Sequence, residues 1–524
     1  VPRYPLPSRS TALLLALVAA LLLFRLGDLP LVGPDEPRYA RVAVEMHRAG
    51  EWVRPTLQGQ PWLEKPALYY WLASVAYGLL GETAGAARLP SVLASLALVG
   101  LTVLVATRLH GPAVGLHSGF ALGTSVLFFV YGHAASMDML LAAGVTGAIG
   151  LAGLRLLDRA GPRAMAAAGA GAGLATLAKG PLGILLPALV LGGFVLATRR
   201  WRLLRQCLSP AALLAFAVVA VPWYALVWRD QGRAFVDVFL LDHNVQRFTS
   251  AVHRHPGPAW YYLPLLLGGL FPWSGLLLPG LARLSPKVSR SDLFLLLWLA
   301  LPLVFFSSAG SKLPGYILPC LPPLAIVAGR AAAALTAGEI VFPRGLGRRA
   351  AAVLTVVLAA FVAAVPSMLA REATPYWSAT LPMAVWAVVV ALVFSARLAS
   401  DPEGALRVLR VGAAGFLLLL AAAAPPIVAA RESGAGLFLR AGGREVLAWR
   451  AWRTAWMAGY FYNDGRVREV ETLAEITAPA AREPVLVLTG RRERDELRRV
   501  TGLRLTTLAT GPRDHALVRV ERIR

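Results

Sequence analysis

The chain has 524 residues, 57% of them hydrophobic and only 15% charged, with a mean hydropathy of +0.60. A water-soluble globular chain of this length carries far more surface charge, so that class is excluded. The formal net charge of +23 invites a nucleic-acid reading, but the excess lies in short basic clusters between apolar runs, as in cytoplasmic loops of membrane proteins, so no nucleic-acid partner is expected.

A helix of about 20 apolar residues crosses a bilayer core of roughly 30 Å. Runs of that kind predict spans over 11–26, 89–108, 114–131, 138–156, 164–178, 180–198, 211–228, 260–282, 292–309, 315–336, 351–370, 377–397 and 405–428. The expected fold is therefore an all-α polytopic membrane protein with about 13 transmembrane helices plus interfacial helices. The first run follows Arg3 and Arg9 as a signal peptide would, yet no small-residue cleavage site follows it, and it is expected to be retained. Ala67 to Leu80 is apolar but too short to span comfortably, and its tyrosines and tryptophan fit an interfacial helix. Residues 1–429 form the expected transmembrane domain. Residues 430–524, rich in Arg and Glu with short β-like runs, are expected to be a small soluble α/β domain.

Placing the N-terminus in the cytoplasm puts Arg108, the Arg155/Arg159/Arg163 group and the Arg199/Arg200/Arg202/Arg205 cluster inside. Arg283/Lys287/Arg290, Arg344/Arg348/Arg349 and Arg397/Arg407/Arg410 fall inside as well, in accord with the positive-inside rule. The C-terminal domain then lies outside. The polar residues that are unusual for a membrane protein gather in the outer loops: 27–88, the turn at Met137–Asp138, 229–259, and Ser311–Lys312. A site facing away from the cytoplasm is expected.

In the first loop, Asp35 is a natural N-cap followed by Pro37 in the first turn. Tyr39, Val42, Ala43 and Met46 then share one helical face, with Arg38, Arg41, Glu45 and Arg48 opposite, which describes an amphipathic helix on the membrane surface. Capping alone would explain Asp35; the adjacent Glu36 argues for more. Glu64 and Lys65 precede Tyr69, Tyr70 and Trp71; they fit either an aromatic belt with a snorkelling lysine or a lysine set against a lipid phosphate. Asp138 begins an otherwise apolar span, where a carboxylate costs about 2–3 kcal/mol at mid-membrane, and is functional by default.

The third outer loop holds His243, Arg247, His253 and His255. Arg247 can grip a phosphate with two parallel hydrogen bonds. The histidines two apart would diverge on a helix, so no metal site is expected. Gly169-Ala-Gly-Ala-Gly173 superficially resembles a nucleotide fingerprint, but without a preceding strand it fits close helix packing better. Lys179 and Lys312 each sit at a span end, where they can snorkel or add positive charge to a phosphate site. The two cysteines, Cys207 and Cys320, imply neither a disulfide framework nor a metal site.

Together these motifs resemble the aminoarabinose transferase branch of the protein-mannosyltransferase-like, GT-C class glycosyltransferases. The resemblance rests on Asp35-Glu-Pro-Arg-Tyr-Ala40, Glu64-Lys-Pro66 with Tyr70-Trp71, Asp138, Lys179-Gly180, Gln246-Arg-Phe248, Trp260-Tyr-Tyr-Leu-Pro264, and Lys312-Leu-Pro314 with Tyr316-Ile-Leu-Pro319. It covers most of 11–330, with the motifs in order. It implies a sugar donor linked through phosphate to a polyprenol such as undecaprenol, an inner-membrane location, and inverting transfer to a lipid, glycan or protein acceptor. It implies Asp35 and Asp138 as critical carboxylates, with Lys65 and Arg247 holding the donor phosphate; Arg38 is a further candidate phosphate ligand. Glu36, Glu64, Tyr70, His243, Lys179, Lys312 and Tyr316 would support them. No cofactor is required; in some relatives Glu64 belongs to a structural divalent-metal site, and such a metal is left unassigned here. A lipid-linked glycan polymerase or ligase would use the same donor class. A flippase would instead place its ionisable residues mid-span, and no internal repeat supports one.

Overall fold

The computed structural model describes residues 8–239, 257–340 and 377–523. The main helices begin with α1 (Ser8–Leu23), α2 (Asp35–Ala49), α3 (Leu68–Leu80), α4 (Ala84–His110), α5 (Pro112–Gly123) and α6 (Val126–Gly132). They continue with α7 (Asp138–Leu156), α8 (Arg163–Lys179), α9 (Leu182–Thr198), α10 (Pro210–Gln231), α11 (Tyr262–Gly269) and α12 (Leu277–Ala282). α13 (Arg290–Ser308), α14 (Leu321–Thr336), α15 (Trp377–Arg397) and α16 (Pro402–Glu432) precede the C-terminal region. Counting described residues only, the chain divides into two compact units. The first comprises Val1–Phe24, Leu63–Tyr69 and Pro90–Ala421; the second comprises Arg25–Trp62, Tyr70–Leu89 and Ala422–Arg524.

In the first unit every expected span coincides with a helix or a bent helix pair, except 351–370, which lies outside the described residues. Among the described residues six helices are long and apolar enough to cross a membrane, or up to eight if each bent pair is one span. The chain is a multi-pass membrane protein. Two expected spans are not straight. The one over 114–131 bends by 61° between α5 and α6, and the one over 260–282 bends by 106° after α11. Pro272, in Gly268-Gly-Leu-Phe-Pro272, has no amide to donate across the second break. At the first, side chains take up polar groups near the break: Ser125 Oγ donates to the Leu122 carbonyl at 2.9 Å and Trp273 Nε1 donates to Thr124 Oγ1 at 2.9 Å.

The glycine stripe on α8 lets that helix sit against neighbours on two sides. A Cβ at Gly169 would fall 2.1 Å from the Ala212 carbonyl oxygen on α10, and one at Gly171 would fall 2.9 Å from the Ala148 nitrogen on α7. Backbone meets backbone there, as small residues permit in membrane helices.

The second unit is built on a mixed five-stranded sheet. β3 (Val446–Trp449), β4 (Val467–Val470), β5 (Val485–Thr489), β6 (Leu503–Thr510) and β7 (Ala516–Arg522) lie in the order β4-β3-β5-β7-β6; the hairpin strands β1 (Thr56–Leu57) and β2 (Gln60–Pro61) stand apart from it. β4, β3 and β5 are parallel, while β7 runs antiparallel to both its neighbours. Alternation along the strands divides the core: Val446, Ala448, Leu486 and Leu488 pack on α17 (Arg453–Tyr462). Leu447, Trp449 and Val487 pack on the opposite side, against Ile476 of α18 (Ala474–Ala480) and Leu497 of α19 (Arg491–Arg498). Helices therefore cover both faces, and the expected α/β character holds.

The reading of α2 as a surface helix needs correction. Its apolar face is buried as expected, with the Ser74 hydroxyl donating to the Ala43 carbonyl at 3.1 Å. Its charged face, however, pairs with the C-terminal region: Arg41 and Glu45 are largely covered there, while Arg48 stays exposed. Arg41 lies 2.5 Å and Arg48 2.6 Å from the Asp464 carboxylate, and Arg48 also pairs with Glu82 at 2.6 Å. Glu45 accepts from Arg41, the Thr56 hydroxyl and the Gln58 and Gly59 amides. Burial pushes the Glu45 carboxyl up, but the Gly59 amide with the Arg41, Thr56 and Gln58 donors holds it below its usual value.

Candidate active site

Asp35 opens α2 but does not cap it. The capping position is taken by Pro34, already in helical conformation, and no side-chain cap bond is made there among the described residues. Asp35 instead lies inside the first turn, and its Oδ1 pairs with the guanidinium of Arg38 one turn on. Arg38, expected on the outward face, is buried; its Nε donates to the Pro34 carbonyl at 3.0 Å and its guanidinium lies 5.3 Å over the Trp62 ring. Trp62 Nε1 in turn donates to the Tyr70 hydroxyl at 2.9 Å. The Asp35 side chain remains 50% exposed, and among the described residues its Oδ2 has no hydrogen-bond partner.

Glu36 does different work. It is buried and accepts from the Val32 amide at 2.8 Å and from Arg88 at 2.9 Å. Arg88, 1% exposed, also donates to the carbonyls of Leu26, Leu29 and Pro30. One side chain thus ties the segment ahead of α2 to the first turn of that helix. Arg88 lies one residue ahead of the span expected over 89–108 and is not among the residues the sequence singles out. The signal was present: a lone arginine among Ala84-Gly-Ala-Ala and Leu-Pro-Ser, where a charge needs a partner.

In the first unit, Asp138 begins α7, where the helix dipole favours a carboxylate. Lys179, at the end of α8, donates to Asp138 Oδ1, and the Ser136 hydroxyl donates to Oδ2 at 3.2 Å. The Lys179 ammonium lies 4.9 Å from the centre of the Tyr316 ring. Gly315 makes this approach possible, since a Cβ there would fall 2.8 Å from Tyr131 and 2.9 Å from the Asp138 carboxyl carbon. Lys179 and Tyr316 therefore join Asp138, whereas Lys312 is buried and donates to the Ala309 carbonyl at 2.7 Å. Lys65 is buried too, donating to the Glu64 carbonyl at 3.1 Å. Arg247 and His243, with His253 and His255, lie outside the described residues. Among the described residues no three His, Cys, Asp or Glu side chains group as metal ligands.

The described helices make a multi-pass membrane protein that sets a carboxylate–lysine pair at the start of α7 and a half-exposed carboxylate at the start of α2. The fold agrees closely with that of the solved ArnT from Cupriavidus metallidurans bound to undecaprenyl phosphate, at a TM-score of 0.81 and 24% identity over 98% of each chain. Residues 64–226 match the family described as dolichyl-phosphate-mannose-protein mannosyltransferase. The undecaprenyl phosphate-alpha-4-amino-4-deoxy-L-arabinose arabinosyl transferase of Edwardsiella ictaluri is 34% identical over 378 residues, 68% of this chain and 67% of that relative. The enzyme of the same name from Pseudomonas aeruginosa is 35% identical over 322 residues, 60% of this chain and 58% of its own length. The chain belongs to the aminoarabinose transferase-like family of GT-C glycosyltransferases.

Proposed function

We propose that this protein moves a sugar from a polyprenyl-phosphate donor, such as undecaprenyl phosphate-linked aminoarabinose, to an acceptor outside the cytoplasm, with inversion. The names of the relatives support the donor class. In this reading about 13 spans lie in the inner membrane, with the N-terminus inside and the soluble domain 430–524 outside, as the basic loops favour. Nucleotide sugars are cytoplasmic, so an outward site needs a donor delivered in the membrane. The acceptor oxygen bonds to the anomeric carbon from the face opposite the phosphate. The bond from that carbon to the phosphate oxygen breaks, and the polyprenyl phosphate leaves with the electron pair.

Charge builds on the leaving phosphate, and Lys65, Arg247 and Arg38 are its proposed partners. Asp35 is the proposed base for a hydroxyl acceptor, an effect worth about 10²–10⁴-fold in rate. The observation that carries this choice is the free Oδ2 of half-exposed Asp35 among the described residues; both oxygens of Asp138 are already engaged by Lys179 and Ser136. Asp138 then orients donor groups, held by Lys179. For a phosphate acceptor, such as that of a lipid A-like glycolipid, no strong base is needed and both carboxylates orient.

The purified protein is incubated with undecaprenyl phosphate-linked sugars and a lipid A acceptor, and release of undecaprenyl phosphate is followed. Asp35→Asn and Asp138→Asn are expected to abolish release while remaining folded in the membrane, and Lys65→Ala to raise the donor KM. Full activity in both Asp variants would overturn the assignment.

A further inference from the structure

The C-terminal sheet of the second unit carries a crevice whose lining includes none of the residues proposed for sugar transfer. From β3 the chain runs into α17 on one face and on to β4; from β5 it runs into α19 on the other face and on to β6 at the far edge. β3 and β5 are adjacent and parallel, and their connections leave in opposite directions. Such a switch point opens a crevice beyond the carboxyl ends of the strands, where open α/β sheets take their ligands.

Here the crevice is a cavity of about 470 Å³, a volume that suits a small ligand larger than a bare ion. Four arginines line it, Arg450, Arg491, Arg492 and Arg513, against two acids, Glu493 and Asp514. Arg513 is held in place, its guanidinium 3.9 Å from the centre of the Trp452 ring. That stacking fixes the direction of its planar donor fork. Trp452 is itself anchored: its amide donates to His515 Nε2 at 2.8 Å, and His515 Nδ1 donates to the Arg513 carbonyl at 3.0 Å. Arg491 and Arg492 are exposed, open α19, and make no ion pair among the described residues. Among the described residues no side chain caps α19, so its first amides add to the positive field, offset in part by Glu493 in the same turn.

We propose that this crevice is a second anion site, one that binds a phosphomonoester carried on a larger group. Arg491 and Arg492, exposed and without ion pairs among the described residues, supply the charge for the dianion, while Arg450 and Arg513, paired at 3.6 Å with Glu496 and at 3.4 Å with Glu432, add to the positive field. The space beyond accommodates the group that bears the phosphate. That group is a soluble sugar or a lipid, and the two sources are separable by experiment.

Full-length protein in detergent is titrated with glucose 1-phosphate by calorimetry, with glucose as the uncharged control. In parallel, protein in nanodiscs is tested for binding to phosphatidylcholine vesicles with and without phosphatidic acid. Saturable binding is expected in at least one arm, weakening with added salt. It should fall by about tenfold or more in Arg491→Gln/Arg492→Gln, whose side chains are exposed, and again in Arg513→Gln. Asp138→Asn should bind as the unaltered protein does. The sugar arm alone identifies a soluble ligand, and the vesicle arm alone a lipid headgroup. Absence of binding in both arms, or binding unchanged in the arginine variants and lost in Asp138→Asn, would overturn the proposal.

Discussion

Arg88→Met removes a guanidinium while roughly keeping side-chain volume, so the cost reports on charge and hydrogen bonding more than on packing. The native group is 1% exposed and satisfies the carbonyls of Leu26 at 3.0 Å, Leu29 at 2.5 Å and Pro30 at 3.0 Å, with the Glu36 carboxylate at 2.9 Å. Taking one partner from a buried ion pair costs about 3–5 kcal/mol, because the other charge is stranded. Glu36→Gln removes the charge but keeps an acceptor and a similar shape, so its cost should be smaller, about 1–3 kcal/mol. The double variant should then be much less destabilised than the sum of the two singles, by a coupling of about 1–3 kcal/mol. Denaturant unfolding in detergent micelles, followed through near-ultraviolet circular dichroism, measures all four corners of the cycle. Transfer activity of Arg88→Met should also drop, since Glu36 sits beside Asp35 in the first turn of α2, and Arg88→Lys should restore only part of it. A cycle that is additive, or an Arg88→Met protein within about 0.5 kcal/mol of the original, would refute the view that Arg88 fixes this segment.

Gly315→Ala should cut the turnover of donor with little change in protein yield, because its Cβ collides with Asp138 and Tyr131; unchanged turnover would show that Asp138 tolerates displacement. Gly169→Ala sets a methyl against backbone on α10 and should destabilise the helix bundle by about 1–3 kcal/mol, read as a lower midpoint in thermal unfolding. Acid should loosen the second unit. Although burial raises them, the carboxyls of Asp464 and Glu45 are held below 3.8 and 4.5 by their arginine and amide partners. A carboxylate lowered in the folded state contributes stability that is full above its unfolded value and vanishes as pH falls through the folded one. The unfolding midpoint should therefore hold from neutrality to about pH 4.5 and fall below that. Asp464→Asn with Glu45→Gln should flatten the fall; an equally steep acid transition in that variant would place the responsible groups elsewhere.

Much of the bundle was legible in the sequence because a bilayer leaves the backbone no other partner: a long apolar run must close its hydrogen bonds within a helix. That argument located α4, α7, α10 and α13, and the small residues of α8 announced close packing. Asp138 was legible for the same reason, as a carboxylate costs too much there to be incidental. Charge partners were not legible. Lys179 is 41 residues from Asp138 and Arg88 is 52 from Glu36 in the chain, and periodicity carries no information about which side chains meet across elements. Arg38 looked outward on a helical wheel, yet Trp62 covers it; Arg41 and Arg48 looked solvated, yet both meet Asp464. The composition of 430–524 indicated strands and helices but not their order. Only the order β4-β3-β5 sends neighbouring connections to opposite faces, and so brings Arg450, Arg491 and Arg513 to one crevice. Local sequence fixes which segments leave water; the pairing of polar groups is decided by distances that exist only once those segments have packed.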